Sequence, residues 1–215
     1  MQFELAYIIP KAIADRPSVM QSDIWGQKII LSKGKNVKIT APSGTGKTTL
    51  VNILYGLNKN YTGQILYNQQ DLANITPVEL SKLRQSHLSI VFQDMKLFPA
   101  ISARENIELK RTMQQSVVDA TEIEQMAELL GISAILDQRA GICSYGEQQR
   151  IAIIRALMQP FDFLILDEPF SHLDINNKKK AAQLIQTACD KRGAGIIITD
   201  LDKDEYFDYQ ESLNL

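Results

Sequence analysis

A glycine-rich run from Ala41 to Thr49 contains the residue types that bind phosphate groups. Gly44 and Gly46 allow a tight turn whose backbone N–H groups can face an anion. Lys47 supplies a mobile positive charge, and the Thr48 hydroxyl can ligate Mg²⁺. This spacing is that of a P-loop, and it predicts nucleotide contacts from a row of successive residues: Ser43, Gly44, Thr45, Gly46, Lys47, Thr48 and Thr49.

The surroundings of this run support that interpretation, although its first residue departs from the usual pattern. The run follows a predicted strand and opens a predicted helix, whose positive N-terminal end would point at the bound anion. A P-loop normally begins with glycine, and Ala41 cannot adopt a positive φ cheaply. We therefore expect an altered loop entry. The alternative is a chance glycine-rich turn before a core helix.

Two carboxylates follow an apolar run, Phe163–Leu166, that is typical of a buried parallel strand. Ligands of open α/β sheets bind at the carboxyl ends of strands, where Asp167 and Glu168 would lie. Asp167 is suited to hold Mg²⁺, and Glu168 is suited to polarise an attacking water. The alternative is an ordinary strand exit, ended by Pro169. Beside a P-loop, the pair favours phosphoryl transfer to water, with Lys47 and Glu168 as catalytic candidates.

Apolar runs, caps and turns predict the elements that position these groups. Strands are expected at Phe3–Ile9, Ile29–Leu31, Val37–Thr40, Gln64–Tyr67, Leu88–Phe92, Phe163–Leu166 and Ile196–Ile198. Helices are expected at Thr48–Leu57, Pro77–Leu83 and Lys178–Cys189, with a helical subdomain over about Ala103–Gly131. Strand, helix and strand in this order predict an α/β fold with a parallel sheet. His87 is interpreted as a solvated residue before its strand.

The composition of the 215 residues suits one compact domain. The formal net charge is −2, so there is no whole-chain reason to expect nucleic acid or an anionic membrane surface as a partner. The two cysteines, Cys143 and Cys189, are far apart and form no metal-ligand pattern, which suits a reducing cytoplasm. No apolar run approaches the roughly 18–20 residues of a membrane span. Work at a membrane would therefore need a separate membrane chain.

The order of these motifs resembles the ATP-binding cassette (ABC) family over essentially the whole chain. Ala41–Thr49 looks like its Walker A loop, and Gln93 looks like its Q-loop glutamine. That resemblance implies that Gln93 reaches Mg²⁺ and the attacking water, which makes it a metal ligand beside Thr48 and Asp167 and a catalytic residue beside Glu168. Without the resemblance, Gln93 would be a polar residue after a strand.

The segment Cys143–Arg150 resembles the family signature, normally Leu-Ser-Gly-Gly-Gln. It keeps Ser144 and Gly146 and differs at three positions: Cys143, Tyr145 and Glu147. The resemblance implies that Ser144, Gly146 and Glu147 face ATP held by a second subunit, with Ser144 capping a helix. At about 4 Å and a dielectric of about 20, Glu147 would repel that anion by roughly 4 kcal/mol. We therefore expect its side chain to turn away. On its own, the segment would read as a capped amphipathic helix.

Two further positions bear on turnover and on base binding. Ser171–Asp174 resembles the D-loop, which contacts the other subunit, and His172 is expected at a surface or interface. Asp200 stands where the family carries a histidine that contacts the γ-phosphate. An aspartate is anionic near neutral pH and cannot donate that hydrogen bond, so we expect slow or impaired hydrolysis. The aromatic that stacks on adenine is undecided between Tyr7 and Trp25, of which Trp25 suits a β-subdomain core better.

The resemblance implies a P-loop NTPase fold of the α/β class: a RecA-like core with a mostly parallel sheet, an antiparallel β subdomain and a helical subdomain. A single domain over 1–215 is expected, with the core subdomain at about 1–92 and 160–215 and the helical subdomain at about 93–159. The stretch from Asn52 to Leu109 looks like the lipoprotein-release, macrolide-export and cell-division branch.

A cassette of this branch would bind ATP and Mg²⁺, pair with a second ABC subunit as a homo- or heterodimer, and drive a separate transmembrane subunit. It would be cytoplasmic, peripheral at the inner face of the cell membrane, with no nucleic acid expected. The membrane partner would contact the region from Gln93 to Pro99, where Met95, Leu97 and Phe98 either present an apolar surface or fill the subdomain joint. The competing hypothesis is a hydrolysis-impaired, nucleotide-gated regulatory or dimerisation module.

Overall fold

Two sheets of different type organise the protein, for which a computed structural model describes residues 1–114, 117–202 and 204–215. The first sheet is antiparallel, with the order β2-β1-β4-β5. Its strands are β1 (Gln2–Pro10), β2 (Lys28–Ser32), β4 (Tyr61–Tyr67) and β5 (Gln70–Asp71). The second sheet is parallel, with the order β6-β7-β8-β3-β9. Its strands are β3 (Asn36–Thr40), β6 (Leu88–Val91), β7 (Phe163–Asp167), β8 (Gly195–Asp200) and β9 (Glu211–Asn214). The predicted α/β fold class is confirmed.

Seven α-helices connect these strands in the described part of the chain. They are α1 (Pro17–Met20), α2 (Lys47–Leu54), α3 (Pro77–Ser86), α4 (Ala103–Thr112), α5 (Ala120–Leu129), α6 (Tyr145–Leu157) and α7 (Ile175–Arg192). Thr76 caps the helix α3, which the sequence predicted from Pro77: its hydroxyl accepts from the Glu79 N–H in a capping box. No helix of the described residues is long and apolar enough to cross a membrane.

The parallel sheet carries the carboxyl ends of three strands to one edge. β7 is buried at every residue, and β8 is buried up to Thr199, because helices cover both faces of a parallel sheet. The register pairs Asp167 with Thr199 and Thr40 with Asp200. The loop that begins at Ala41 therefore starts beside the ends of β7 and β8.

Helices α4, α5 and α6 lie in the chain between β6 and β7. They share one apolar core with the sheet face, in which Ile107, Ile123 and Ile151 are fully buried. Residues 115 and 116 of the predicted helical stretch lie outside the described residues. The buried Asn106 side chain fixes the preceding loop, because it accepts from the Phe98 N–H at 2.8 Å and donates to the Phe98 carbonyl at 3.0 Å.

Two expectations about single residues change with the structure. Met95 does not present an apolar surface, since it is buried in the core, and Leu97 packs partly against that core. Only Phe98 of that trio is well exposed. The interpretation of His87 as a solvated residue is incomplete: its side chain is 37% exposed, but its Nδ1 also lies 2.5 Å from the Asp162 carboxylate, which accepts from Lys33. The hydrogen bonds from Lys33, His87 and Tyr67 hold the pKa of Asp162 below its usual value, against the effect of burial, which raises it.

Candidate functional site

The P-loop begins at Ala41 without the backbone distortion that an alanine was expected to cause there. The residue is fully buried, its N–H donates to the Asp200 carbonyl at 3.0 Å, and it is not among the residues with positive φ. An alanine therefore fits this position without strain. The turn is made further on, by Gly44 at a φ of 80° and Gly46 at a φ of 112°. Helix α2 follows with no side-chain cap, so its first N–H groups are free to bind an anion.

Gly46 packs against two apolar side chains, those of Ile13 and Trp25. A Cβ atom at this position would be 3.1 Å from Ile13 Cδ1 and 3.3 Å from Trp25 Cζ2. Trp25 is 1% exposed and belongs to the apolar core that the antiparallel sheet shares with α2 and the parallel sheet, so the ring packs firmly beside the loop. Tyr7 is 62% exposed and does not line the cavity at the P-loop.

Lys47 lines a cavity of about 410 Å³. Its ammonium donates to the carbonyls of Ala41 and Pro42 at 2.9 and 3.1 Å, and it lies 3.3 Å from Glu168 Oε1. The predicted loop residues that line this cavity are Ser43, Gly44, Gly46, Lys47, Thr48 and Thr49, together with Gln93 and Glu168. The exception is Thr45, whose hydroxyl donates back to the Pro42 carbonyl at 2.8 Å.

The carboxylate of Asp167 is buried at the end of β7 beside two hydroxyl groups. Thr199 of the neighbouring strand donates to its Oδ1 at 2.7 Å. Burial raises the pKa of Asp167, while the hydroxyls of Thr199 and Thr48 and the charge of Lys47 oppose that rise. Its Oδ2 is buried and has no hydrogen-bond partner among the described residues. A buried carboxylate oxygen left in this way is suited to a cation.

Three of the oxygen-bearing side chains fit the magnesium ion that the family implies. Thr48, Gln93 and Asp167 line one cavity of about 740 Å³, and the Thr48 hydroxyl lies 3.3 Å from Gln93 Oε1. Mg²⁺ prefers such oxygen ligands and usually holds only one or two carboxylates with substrate phosphates. The free Oδ2 of Asp167 would supply the charged ligand.

Glu168 has a backbone conformation that is rare outside glycine. Its φ is 47°, in the left-handed region, where a non-glycine residue costs about 1–3 kcal/mol. The surrounding bonds fix this conformation: its N–H donates to the Thr199 carbonyl at 2.9 Å. Its Oε2 accepts from Gln93 Nε2 at 3.3 Å. Lys47, Gln93 and Glu168, predicted as catalytic, are therefore brought together.

The signature residues form a helix start, as the sequence predicted for Ser144. The Ser144 hydroxyl accepts from the Glu147 N–H and donates to Glu147 Oε2, which also accepts from the Ser144 N–H at 2.8 Å. The Ser144 hydrogen bonds lower the pKa of Glu147. Its carboxylate is thus folded back onto its own helix. Gly146 has a packing role, because a Cβ there would be 2.9 Å from the His172 carbonyl. Ser144, Gly146 and Glu147 do not line the cavity around Lys47 in the same chain.

The buried side chain of Gln149 was missed by the sequence analysis, although it lies inside the signature segment. Its Nε2 donates to the Glu168 carbonyl at 3.3 Å and to Ser171 Oγ at 3.2 Å, and its Oε1 accepts from the His172 N–H at 2.9 Å. It ties helix α6 to both the acidic strand end and the following loop. His172 is exposed, as expected, and its ring lies 5.3 Å from that of Tyr145.

The Asp200 carboxylate contacts a side chain of the neighbouring strand β3. This carboxylate lies 3.5 Å from the ammonium of Lys38, a β3 residue whose side chain is 2% exposed. Lys38 also pairs with Asp204, and that carboxylate accepts from the Tyr209 hydroxyl. The sequence alone does not predict which residues pair with Lys38 in the middle of β3. One of its partners, Asp200, is the last residue of β8, and the other, Asp204, lies in the segment after β8.

Comparison with known proteins identifies the relatives of this chain. The family model described as ABC transporter matches residues 26–171. An uncharacterized ABC transporter ATP-binding protein, YbbA of Escherichia coli (strain K12), is 32% identical over 84% of this chain and 80% of its own length. The lipoprotein-releasing system ATP-binding protein LolD of Syntrophotalea carbinolica is 33% identical, over 80% of this chain and 77% of its own. The macrolide export ATP-binding/permease protein MacB of Rhodopirellula baltica is 32% identical over 82% of this chain but only 26% of its own. The predicted resemblance to this branch is confirmed.

Solved structures agree with these relatives. The dimeric bacterial ABC transporter cassette MJ0796 superposes with a TM-score of 0.77 at 25% identity, over 93% of this chain and 88% of that one. The same cassette in a post-hydrolysis state with ADP and Pi gives a TM-score of 0.75. The chain therefore belongs to the ABC transporter family, as one of its ATP-binding cassettes.

Proposed function

We propose that this cassette binds MgATP at the P-loop and hydrolyses it at an interface with a second cassette, thereby driving a separate membrane subunit. One relationship carries the proposal: Gln93 Nε2 lies 3.3 Å from Glu168 Oε2, and Lys47 Nζ lies 3.3 Å from Glu168 Oε1. A cation for phosphate, a polar amide and a water-directing carboxylate thus share one site.

Each side chain has a distinct role in this proposal. The N–H groups of the loop and the start of α2, with the side chains of Ser43 to Thr49, bind the phosphates. Thr48, Gln93 and Asp167 would hold Mg²⁺, which supplies neutralisation of phosphate charge when bound. Glu168 polarises the attacking water, and Gln93 orients both Glu168 and that water. Lys47 moves from the loop carbonyls to the outer phosphates.

The second subunit supplies the other wall of the site. Ser144, Gly146 and Glu147 do not line the P-loop cavity of about 410 Å³ in their own chain, and in this proposal they contact ATP held by the partner. Similarity to the dimeric cassette MJ0796 supports this arrangement. The free N–H groups at the start of α6 would then face the γ-phosphate, with the Glu147 carboxylate held back by Ser144.

The membrane partner is proposed from the names of the relatives. LolD belongs to a lipoprotein-releasing system, and MacB is a combined ATP-binding and permease protein. We place the contact at the exposed Phe98, which follows Gln93 on the same connection. The cassette would be a single domain over 1–215, with a core at about 1–92 and 160–215 and a helical subdomain at about 93–159. It would lie in the cytoplasm at the inner face of the membrane.

A second candidate function has its own observation. The Asp200 carboxylate is paired with Lys38, so it offers no donor to a γ-phosphate. The chain would then bind ATP and dimerise as a nucleotide-gated module while hydrolysing it hardly at all.

Both candidate functions require MgATP binding and dimerisation, and both properties can be measured on the purified chain. MgATP affinity is measured by calorimetry for the unaltered chain and for Lys47→Met. The sedimentation coefficient of Glu168→Gln is measured with MgATP and with MgADP. The proposal expects binding that Lys47→Met abolishes, and a dimer with MgATP only. Binding that does not depend on Lys47, or a monomer under all conditions, would contradict it.

A further inference from the structure

The segment between β1 and β2 lies against the P-loop. It consists of a 3-10 turn, Lys11–Ile13, and the short helix α1. Ile13 is 6% exposed, and its Cδ1 occupies the space beside Gly46. The N–H of Arg16 donates to the Ile13 carbonyl at 3.0 Å, and the Val19 N–H donates to the Arg16 carbonyl at 3.0 Å. The backbone at Arg16 is therefore held in a fixed place relative to the loop.

The Arg16 side chain reaches the loop itself. One guanidinium nitrogen, Nη1, donates to the Gly44 carbonyl at 2.7 Å. A guanidinium has five N–H donors in a rigid fork, so this bond leaves others directed outward. Arg16 also lines the cavity of about 410 Å³ that holds Lys47 and Glu168. Its charge is thus presented at the rim of the predicted phosphate site.

The charges around this cavity are unbalanced. The charged residues that line it are Arg16, Lys47 and Glu168, and Glu168 is paired with Lys47. No carboxylate of the described residues lies within ion-pair distance of Arg16. Arg16 is exposed, is hydrogen-bonded through one nitrogen, and lines a cavity of net positive charge. This arrangement favours binding of an anion. Guanidinium forks bind phosphate oxygens in a bidentate manner.

We infer that Arg16 is a further nucleotide-contacting residue, which binds the phosphate oxygens of ATP from outside the P-loop. The inference rests on the proposed function and adds a second cation to the contact made by Lys47. The recognised chemistry is the triphosphate and not the base. Arg16 should therefore act equally on any nucleoside triphosphate and on inorganic triphosphate.

The test compares three ligands by calorimetry: MgATP, MgGTP and magnesium triphosphate. The variants are Arg16→Ala, Arg16→Gln and, as matched control, Lys11→Ala, which removes an exposed cation of the same segment that does not line the cavity. Arg16→Gln keeps a donor for the Gly44 carbonyl while it removes the charge. Both Arg16 variants should weaken all three ligands by about tenfold, with a reduced salt dependence of affinity, since bonds to charged groups contribute more than neutral ones. Lys11→Ala should leave all three unchanged.

Two results would overturn the inference while leaving the proposed function intact. Normal affinity in Arg16→Gln would mean that Arg16 only braces the Gly44 carbonyl. A loss confined to MgATP and MgGTP, with inorganic triphosphate unaffected, would place Arg16 on the base or ribose. Absence of binding in the unaltered chain, with no effect of Lys47→Met, would instead remove the proposed function and the inference together.

Discussion

The buried ammonium of Lys38 in β3 lies 3.5 Å from the carboxylate of Asp200 at the end of β8. The same ammonium pairs with Asp204, and the Asp204 carboxylate is held by Tyr209. The lysine pair and the Tyr209 hydrogen bond lower the pKa of Asp204 against the effect of burial, which raises it. Asp200, which the resemblance to the family predicts at the histidine position, is therefore part of a charged cluster beside the strand before the P-loop.

Replacing Asp200 by histidine should raise ATP turnover. The change supplies a hydrogen-bond donor for the γ-phosphate, and Lys38 keeps its pair with Asp204, so the fold should persist. We expect an increase of at least about tenfold in phosphate release, since one transition-state donor contributes on the order of 10²–10³-fold. Asp202→His is the matched control, because Asp202 is exposed and has no ion pair with any of the described residues. Equal turnover in Asp200→His and in the unaltered chain would show that this position does not limit hydrolysis.

The two glycines of the P-loop should differ in their tolerance of alanine. Gly46→Ala places a methyl group 3.1 Å from Ile13 and 3.3 Å from Trp25, at a φ of 112°. Gly44→Ala meets nothing within 4 Å, although its φ of 80° remains unfavourable. Strain of about 1–3 kcal/mol is expected at both positions, with the contact cost only at Gly46. MgATP affinity and the free energy of unfolding should therefore fall more in Gly46→Ala, and the opposite order would refute the supporting role of Ile13 and Trp25.

Arg155 should position the segment that carries Gln93. Its guanidinium donates to the carbonyls of Met95 and Lys96, whose φ values of 58° and 48° are unusual for non-glycine residues. It lies in the last turn of α6, whose first turn contains the signature. Arg155→Met should lower kcat by about tenfold, because Gln93 and Glu168, the proposed catalytic carboxylate, lose alignment.

Two readouts separate this positioning role from general destabilisation. MgATP affinity of Arg155→Met should stay within about twofold, since the P-loop is untouched. The control is Arg192→Met, which removes another partly buried arginine that donates to the Ala188 and Leu157 carbonyls away from the site. A similar loss of kcat in both variants would argue that lost stability, and not Gln93, explains the effect.

The strands and the P-loop were predictable because their signals are local. Apolar runs mark β7 and β8, and the glycine spacing marks the loop within a few residues. The last strand, β9, was missed, since Glu211–Asn214 has no β-branched residue and pairs only with β3 at the sheet edge.

The contacts that complete the site join residues far apart in the chain. Arg16 bonds a carbonyl 28 positions away, and Gln149 bonds one 19 positions away. The sequence pattern around Arg16 and Gln149 does not predict these partners, because only the folded structure brings the side chains and the carbonyl groups together. The same holds for His87 and Asp162, whose pairing depends on the junction of β6 and β7.

Lys110 should make stability depend on pH in the alkaline range. Burial lowers the pKa of Lys110 to about 8, and the charges of Arg155 and Arg84 act in the same direction. The pKa in the unfolded chain is near 10.5, so the folded state binds fewer protons between these values. The buried charged ammonium therefore destabilises the folded state fully below about pH 8. This destabilisation fades as the pH rises toward 10.5.

Lys110→Met should remove the destabilisation that the buried ammonium causes. We expect the free energy of unfolding to rise by about 1–2 kcal/mol at pH 7, a figure reduced from the full shift because the side chain is partly exposed. The gain should shrink between pH 8 and pH 9.5, as measured by urea unfolding. Lys82→Met, on the exposed face of α3, should show no such trend. A gain that is independent of pH would attribute the effect to packing and not to charge.

Phosphate release from MgATP by the unaltered chain and by Glu168→Gln tests the central claim most directly. Glu168 is buried, strained at a φ of 47° and within 3.3 Å of both Lys47 and Gln93. The account predicts measurable turnover that falls by at least about 100-fold in Glu168→Gln, because a general base contributes roughly 10²–10⁴-fold. MgATP affinity should be retained in that variant. Equal rates of phosphate release with and without the Glu168 carboxylate would contradict an ATPase centred on this residue.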